Sequence, residues 1–205
     1  MKFYQGRSPA RVVIGIGNSP RYACGIFAQG YRESAAIVSR HLLERERFSD
    51  YEAYPIVFLY RHAFELYLKG IIYESARLAA FNRLADVDAA LYNVHDLEKL
   101  AQAAGLALMK VFPNDTGLSR LVERVAKSAV EFAEIDPDSF GYRYPVDRCG
   151  NHATARHQSI DLHAFHRHMD ELLADLEVVD FGLDVESSRA QELYETVEEI
   201  LRVWY

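Results

Sequence analysis

Apolar positions recur at helical spacing over most of this chain. The densest run is Tyr54 to Tyr73. There Ile56, Val57, Phe58, Leu59, Phe64, Leu66, Leu68, Ile71 and Ile72, with Tyr60 and Tyr67, surround four charged or ionisable residues: Arg61, His62, Glu65 and Lys69. On a helical wheel these four fall within about 100° of one another, a single stripe. A helix so apolar elsewhere must be mostly buried. Its stripe is therefore either a satisfied polar network or the floor of a pocket. Arg61–Glu65 and Glu65–Lys69 are spaced i,i+4 and can neutralise one another. Phe58 and Ile72 occupy the same angular sector one turn beyond each end, which predicts enclosure. A buried charge needs a partner or a ligand. Arg143 and Asp147, from a long loop, and His95, from a short helix, are the candidates to approach it.

The remaining periodic segments predict an all-α bundle of five to six helices. Residues 1–18 read as an N-terminal arm, because the Gly-Ile-Gly at 15–17 has neither the third glycine nor the βαβ context of a dinucleotide fingerprint. Ser19-Pro20 is a helix start, and Phe27, Tyr31, Ala35, Val38 and Leu42 carry helix one to about residue 47. Helix two runs from about Tyr54 to Ala80, with Pro55 in its first turn. A short helix follows, capped by His95 or Asp96, with Gly105 as its stop. Thr116 caps the next helix, which ends near Ile135. Residues 136–159 combine turn chemistry with Phe140, Tyr142 and Tyr144, and predict a long ordered loop of functional use, with a short β-hairpin as one form. Another helix starts near Ile160, and a last amphipathic one covers about 187–203. The bundle proper is thus 19–182, with 183–205 packing on it or on a dimer partner.

Composition narrows the function classes. The chain has 205 residues, half of them hydrophobic, and a net charge of −7. That length suits one domain, and the acidity argues against broad, nonspecific nucleic-acid binding. Cys24 and Cys149 have no CxxC partner, so neither a disulfide framework nor a zinc knuckle is implied. His152, His157, His163, His166 and His168 cluster in sequence, but no HExxH or placed carboxylate accompanies them. No metal or cofactor is expected. The absence of a leader-like or membrane-spanning apolar run predicts a soluble, cytoplasmic protein.

Four segments together resemble bacterial HEPN-like proteins over roughly residues 25–180. They are Gly30-Tyr31 with Ala35 and Ala36, the run Tyr54 to Lys69, His95-Asp-Leu97, and Arg143-Tyr-Pro-Val-Asp147. The resemblance implies an α-helical bundle that dimerises. Many such proteins are metal-independent ribonucleases in toxin–antitoxin and antiviral defence systems, with a cognate antitoxin or defence partner. Others bind nucleotides or serve as interaction modules. Active members carry an Arg, a polar residue, and a His a few positions on, which Arg156-His157 and His163 match here. Histidine suits proton transfer at a ribose 2′-hydroxyl, and arginine stabilises charge on phosphate. Arg143 and His95 are the fallback pair. The expected ligand site comprises Arg61, His62, Glu65, Lys69, Arg143 and Asp147. Three functions follow: a nucleotide- or anion-binding or interaction module, a metal-independent endoribonuclease acting on RNA, and a purely structural dimeric bundle.

Overall fold

A computed structural model describes residues 23–45, 47–80, 91, 93–136, 141–146, 149–153 and 159–203. The N-terminal arm, Ser19-Pro20, Asp147, Arg156 and His157 lie outside the described residues. The fold is all-α. Five α-helices have described bounds: α1 (Ala23–Leu43), α2 (Ala53–Ala80), α3 (Leu97–Val111), α4 (Thr116–Ala133) and α5 (Leu162–Val203), with a 3-10 turn at Asp50–Glu52. Among these residues no helix is long and apolar enough to cross a membrane.

Helix α2 is the organising element, because its apolar residues surround the axis and need neighbours on several sides. It packs against α1, α3 and α5, while α4 packs chiefly on α3. Tyr60, Phe64, Tyr67, Leu68 and Ile71 on α2 are fully buried, against Leu100 on α3 and Met169, Leu172, Leu173 and Leu176 on α5. Withdrawing each such apolar side chain from water contributes on the order of 1.5–3 kcal/mol. Pro55 sits in the first turn of α2, where its missing N–H costs no intrahelical bond.

Several boundaries differ from the sequence expectation. Helix α1 ends at Leu43 rather than near 47; Arg45 N–H bonds Leu42 O at 3.2 Å, a tightened last turn. The run Glu44–Arg47 has no apolar side chain to hold a further turn on the core. Gly105 is not a helix stop. It lies inside α3, where a Cβ would come 2.7 Å from Val122 Cγ1, so its bareness lets α3 and α4 approach. The caps are Asp96, accepting from Lys99 N–H at 3.1 Å, and Asp115 rather than Thr116, accepting from Leu118 N–H at 2.9 Å. The expected helices after residue 160 are one continuous helix of 42 residues. No proline interrupts it, and Gly182 costs only about 1 kcal/mol within it. In the loop, the expected hairpin reduces to an isolated antiparallel bridge between Val146 and His152.

Candidate functional site

Three residues one helical turn apart on α2 build the centre. Arg61, Glu65 and Lys69 are buried, each less than 5% exposed. Arg61 Nη1 donates to Glu65 Oε2 at 3.2 Å, and Lys69 Nζ donates to Glu65 Oε1 at 2.9 Å. Two other elements complete the network. From the turn before α3, His95 sets Nδ1 against Glu65 Oε1 at 2.9 Å, and its backbone carbonyl accepts from Arg61 Nη2 at 3.1 Å. From the end of α4, Asp136 brings Oδ2 to 3.2 Å from Arg61 Nε. That contact is electrostatic rather than an aligned hydrogen bond. Asp136 Oδ1 accepts the Gly141 N–H at 2.8 Å, which ties the start of the aromatic loop to the same carboxylate.

The charges balance: Arg61 and Lys69 face Glu65 and Asp136. Burial pushes the Glu65 carboxyl up, but Lys69 and His95 outweigh it and hold it below the ordinary glutamate value. Glu65 is therefore ionised and fully engaged, as a buried carboxylate must be to persist.

The expected partners of the stripe divide. His95 reaches it. Arg143 does not join the buried ion pairs; its exposed guanidinium lies over the Phe58 ring at 5.8 Å and the Tyr144 ring at 5.9 Å. Asp136 supplies the second carboxylate. A signal for it exists in the sequence. An acid just past a helix C-terminus opposes the helix dipole, so its presence there asks for a specific cation.

His62 completes the outer edge. It is half-buried, stacked on Phe58 (5.6 Å between centroids, 10° between planes) and edge-on to Tyr31 at 4.5 Å. Burial lowers its pKa; Glu65 opposes this, while Arg143, Arg61 and Lys69 lower it further. The neutral imidazole is thus favoured over the charged form. Tyr31, His62, Phe58, Arg143 and Tyr144 form a continuous aromatic and cationic ladder beside the buried network.

The histidines of α5 lie elsewhere. His163 is exposed and lines a groove of about 470 Å³ with Tyr54, Val57 and Tyr142. His166 Nδ1 pairs with Tyr60 Oη at 2.6 Å, and His168 Nε2 with Ser128 Oγ at 2.8 Å. They point to different helices, so the sequence cluster is not a spatial one. Among the described residues no three His, Cys, Asp or Glu side chains converge as metal ligands would.

Chemically, the site offers an oriented imidazole. Glu65 fixes His95 through Nδ1, and the His95 side chain is 55% exposed, which leaves the rest of the ring open to solvent. Comparison with known proteins adds nothing to this geometry: no family model matches the chain, and no significant match was found among curated proteins or solved structures.

Proposed function

We propose that this chain is a HEPN-like bundle, dimeric as that resemblance implies, that binds a nucleotide or similar phosphate-bearing anion as a binding or interaction module. The setting implied by the resemblance is bacterial defence or a toxin–antitoxin pair. The supporting observation is the exposed Arg143 guanidinium seated over Phe58 and Tyr144, with Phe58 itself stacked on His62. A guanidinium held on rings presents its N–H fork in a fixed plane, the geometry that phosphate oxygens match. The exposed Tyr144 ring is a surface on which a base can stack. Arg61 and Lys69, which the sequence also offered as anion ligands, are neutralised by Glu65 and Asp136; here they support the patch from beneath. Calorimetric titration with ATP, ADP and pyrophosphate tests the reading. Saturable binding weakened about tenfold or more by Arg143→Ala supports it, on the scale of a lost charge-assisted contact. Absence of binding, or binding indifferent to Arg143→Ala, refutes it.

One observation favours a second reading, a metal-independent endoribonuclease. The 2.9 Å contact between Glu65 and His95 is the arrangement that orients a general base. In this reading His95 Nε2 takes the proton of a ribose 2′-hydroxyl, whose oxygen attacks phosphorus as the P–O5′ bond breaks; Arg143 steadies the phosphate, the 5′-oxygen takes a proton from water, and the other product carries a 2′,3′-cyclic phosphate. Cleavage of RNA in EDTA, reduced about 100-fold by His95→Ala, supports it. Loss in His163→Ala and Arg156→Ala instead moves the chemistry to that pair. Absence of cleavage leaves the binding module.

A further inference from the structure

The outward face of α1 carries a pattern that packing within the bundle does not use. Ile26, Phe27 and Ile37 are 59%, 56% and 60% exposed, and Val38 is exposed as well. On the helix they share with Gly30 and Ser34 one sector about 120° wide. Ala28, Ala35 and Leu42, which bury α1 in the bundle, lie on the other side. The charged residues Arg32, Glu33 and Arg40 fall outside the sector, and Arg32 is turned to Asp170 and Glu177 of α5. An amphipathic helix points its apolar stripe at a neighbour. Here that stripe points to solvent, the mark of an interaction surface.

The pattern reads alike in both directions. Ile26 and Phe27 precede Arg32 by six and five residues, Ile37 and Val38 follow it by five and six, and Gly30 and Ser34 stand two residues to either side. Two copies of α1 laid antiparallel therefore set Ile26 on the partner's Ile37 and Phe27 on the partner's Val38. Gly30 then meets the partner's Ser34. Each contact occurs twice, the condition of a two-fold interface. The small residues at the centre suit a close crossing. Gly25 and Gly70 are bare because Asp180 stands where their Cβ atoms would go, and Gly105 because of Val122. A Cβ on Gly30 would meet nothing within 4 Å. Glycine is among the poorest helix formers, and no contact among the described residues calls for one there. Ser34 Oγ donates to the Gly30 carbonyl at 2.8 Å, so its hydroxyl stays satisfied when the face is covered.

The charges agree with the same arrangement. The last turn of α1 carries Arg40 and His41. In the antiparallel pair the partner's Arg40 falls level with Cys24. That residue lines the acidic cleft between α1, α2 and α5 with Ile26, Glu74, Asp180 and Asp184. A basic helix end thus meets an acidic cleft at both ends of the pair, which suits two copies that each carry a net charge of −7. A parallel pair would set Arg40 on Arg40. We propose that α1 is the dimer interface of this protein, two copies pairing antiparallel about the level of Arg32 with Gly30 and Ser34 at the crossing. The interface deepens the dimeric reading above, and its test is separate from the anion titration.

Sedimentation velocity of the full chain, from about 1 to 100 µM, provides that test. The wild type is expected to dimerise. Phe27→Lys and Val38→Glu each place a charge in the covered face and should raise the dimer dissociation constant about 100-fold or more. Both side chains are exposed, so unchanged thermal melts at low concentration confirm that the monomer stays folded. Combined in one chain, the two substitutions should restore the dimer to within about tenfold of wild type, because antiparallel pairing sets Lys on Glu twice. Leu193→Glu, on the exposed outer part of α5, should leave the dimer intact. A monomer at every concentration overturns both this interface and the dimeric reading. A dimer that survives Phe27→Lys and Val38→Glu, or that Leu193→Glu breaks instead, overturns the interface alone. A double variant that stays monomeric overturns the antiparallel register and with it the proposal.

Discussion

Two clusters of charge meet along α2, one buried around Glu65 and one partly buried around Asp180 of α5, and they are built on opposite terms. Around Glu65 every charge meets its opposite: Arg61, Lys69 and His95 surround it, and Asp136 closes on Arg61. Around Asp180 like charges gather: burial raises its pKa most, and Glu74, Asp184 and Glu177 raise it further. The first cluster ties α2 to the turn before α3 and to the end of α4. The second opposes the closest approach of α1, α2 and α5. The teaching is that burial of charge is not one phenomenon. A closed set of partners makes it a fastening, whereas an open set leaves a cost that grows with ionisation.

The largest expected effect breaks the first cluster. Glu65→Ala removes the carboxylate shared by Arg61, Lys69 and His95 and leaves Lys69 buried without that partner. It should lower the unfolding free energy by about 2–4 kcal/mol, read from urea unfolding at pH 7. A loss well under 1 kcal/mol would show that the stripe is not the fastening its geometry describes.

The next effect has the opposite sign. A carboxyl whose folded pKa is raised contributes stability below its unfolded value near 4, and that stability is lost as pH rises through about 7. The wild type should therefore lose stability between pH 4 and pH 8 through this group, with Glu74, also raised chiefly by burial, adding in the same direction. The groups facing Asp180 are Glu74 and Tyr67 from α2, Glu177 and Asp184 from α5, and Cys24 from α1, whose pKa is raised by burial and by Asp180 itself. Asp180→Asn removes the dependence. It should be more stable than wild type by about 1–3 kcal/mol at pH 8, with the gap closing toward pH 4. A variant less stable at both pH values would mean that Asp180 has a partner the contrast denies.

The smallest effect calibrates both. Arg124 Nη1 and Asp175 Oδ2 lie 2.5 Å apart, with side chains 42% and 50% exposed. A double-mutant cycle on this pair should give about 0.5 kcal/mol or less, falling further in salt. Coupling as large as that at Glu65 would mean that distance rather than burial sets the scale here.

The contrast also marks what was legible beforehand. The polar stripe was visible because Arg61, Glu65 and Lys69 repeat at i,i+4 within an apolar run, a purely local pattern. Helix α2 and the caps near His95 and Asp115 were visible within a residue or so for the same reason. Asp136 was legible only as an acid past a helix end that asks for some cation, because nothing local ties it to a residue 75 positions earlier. Gly105 read as a stop because a glycine near a helix end has two uses, and only the neighbouring Val122 distinguishes them. The acidic cleft was missed outright. Glu74 and Asp180 belong to different helices, and each alone reads as an ordinary surface acid. Local periodicity reports which face is buried, whereas charge compensation is settled between elements.

Helix α5 is held by two different mechanisms along its length. Up to Leu183 and Ser187 it has buried residues that lock it to the bundle. Beyond Ser187 none of its described side chains is buried, and the helix continues to Val203, about 24 Å further at 1.5 Å per residue. That outer portion is sustained by its own backbone ladder and by i,i+4 pairs such as Gln191–Glu195 and Tyr194–Glu198. Its length is close to the limit at which an isolated helix persists in water. It escapes the cost of nucleation only because the packed portion supplies a ready template. The bundle thus acts as a seed crystal for its own last helix, and a disturbance at the packed end removes the start from which the outer turns grow.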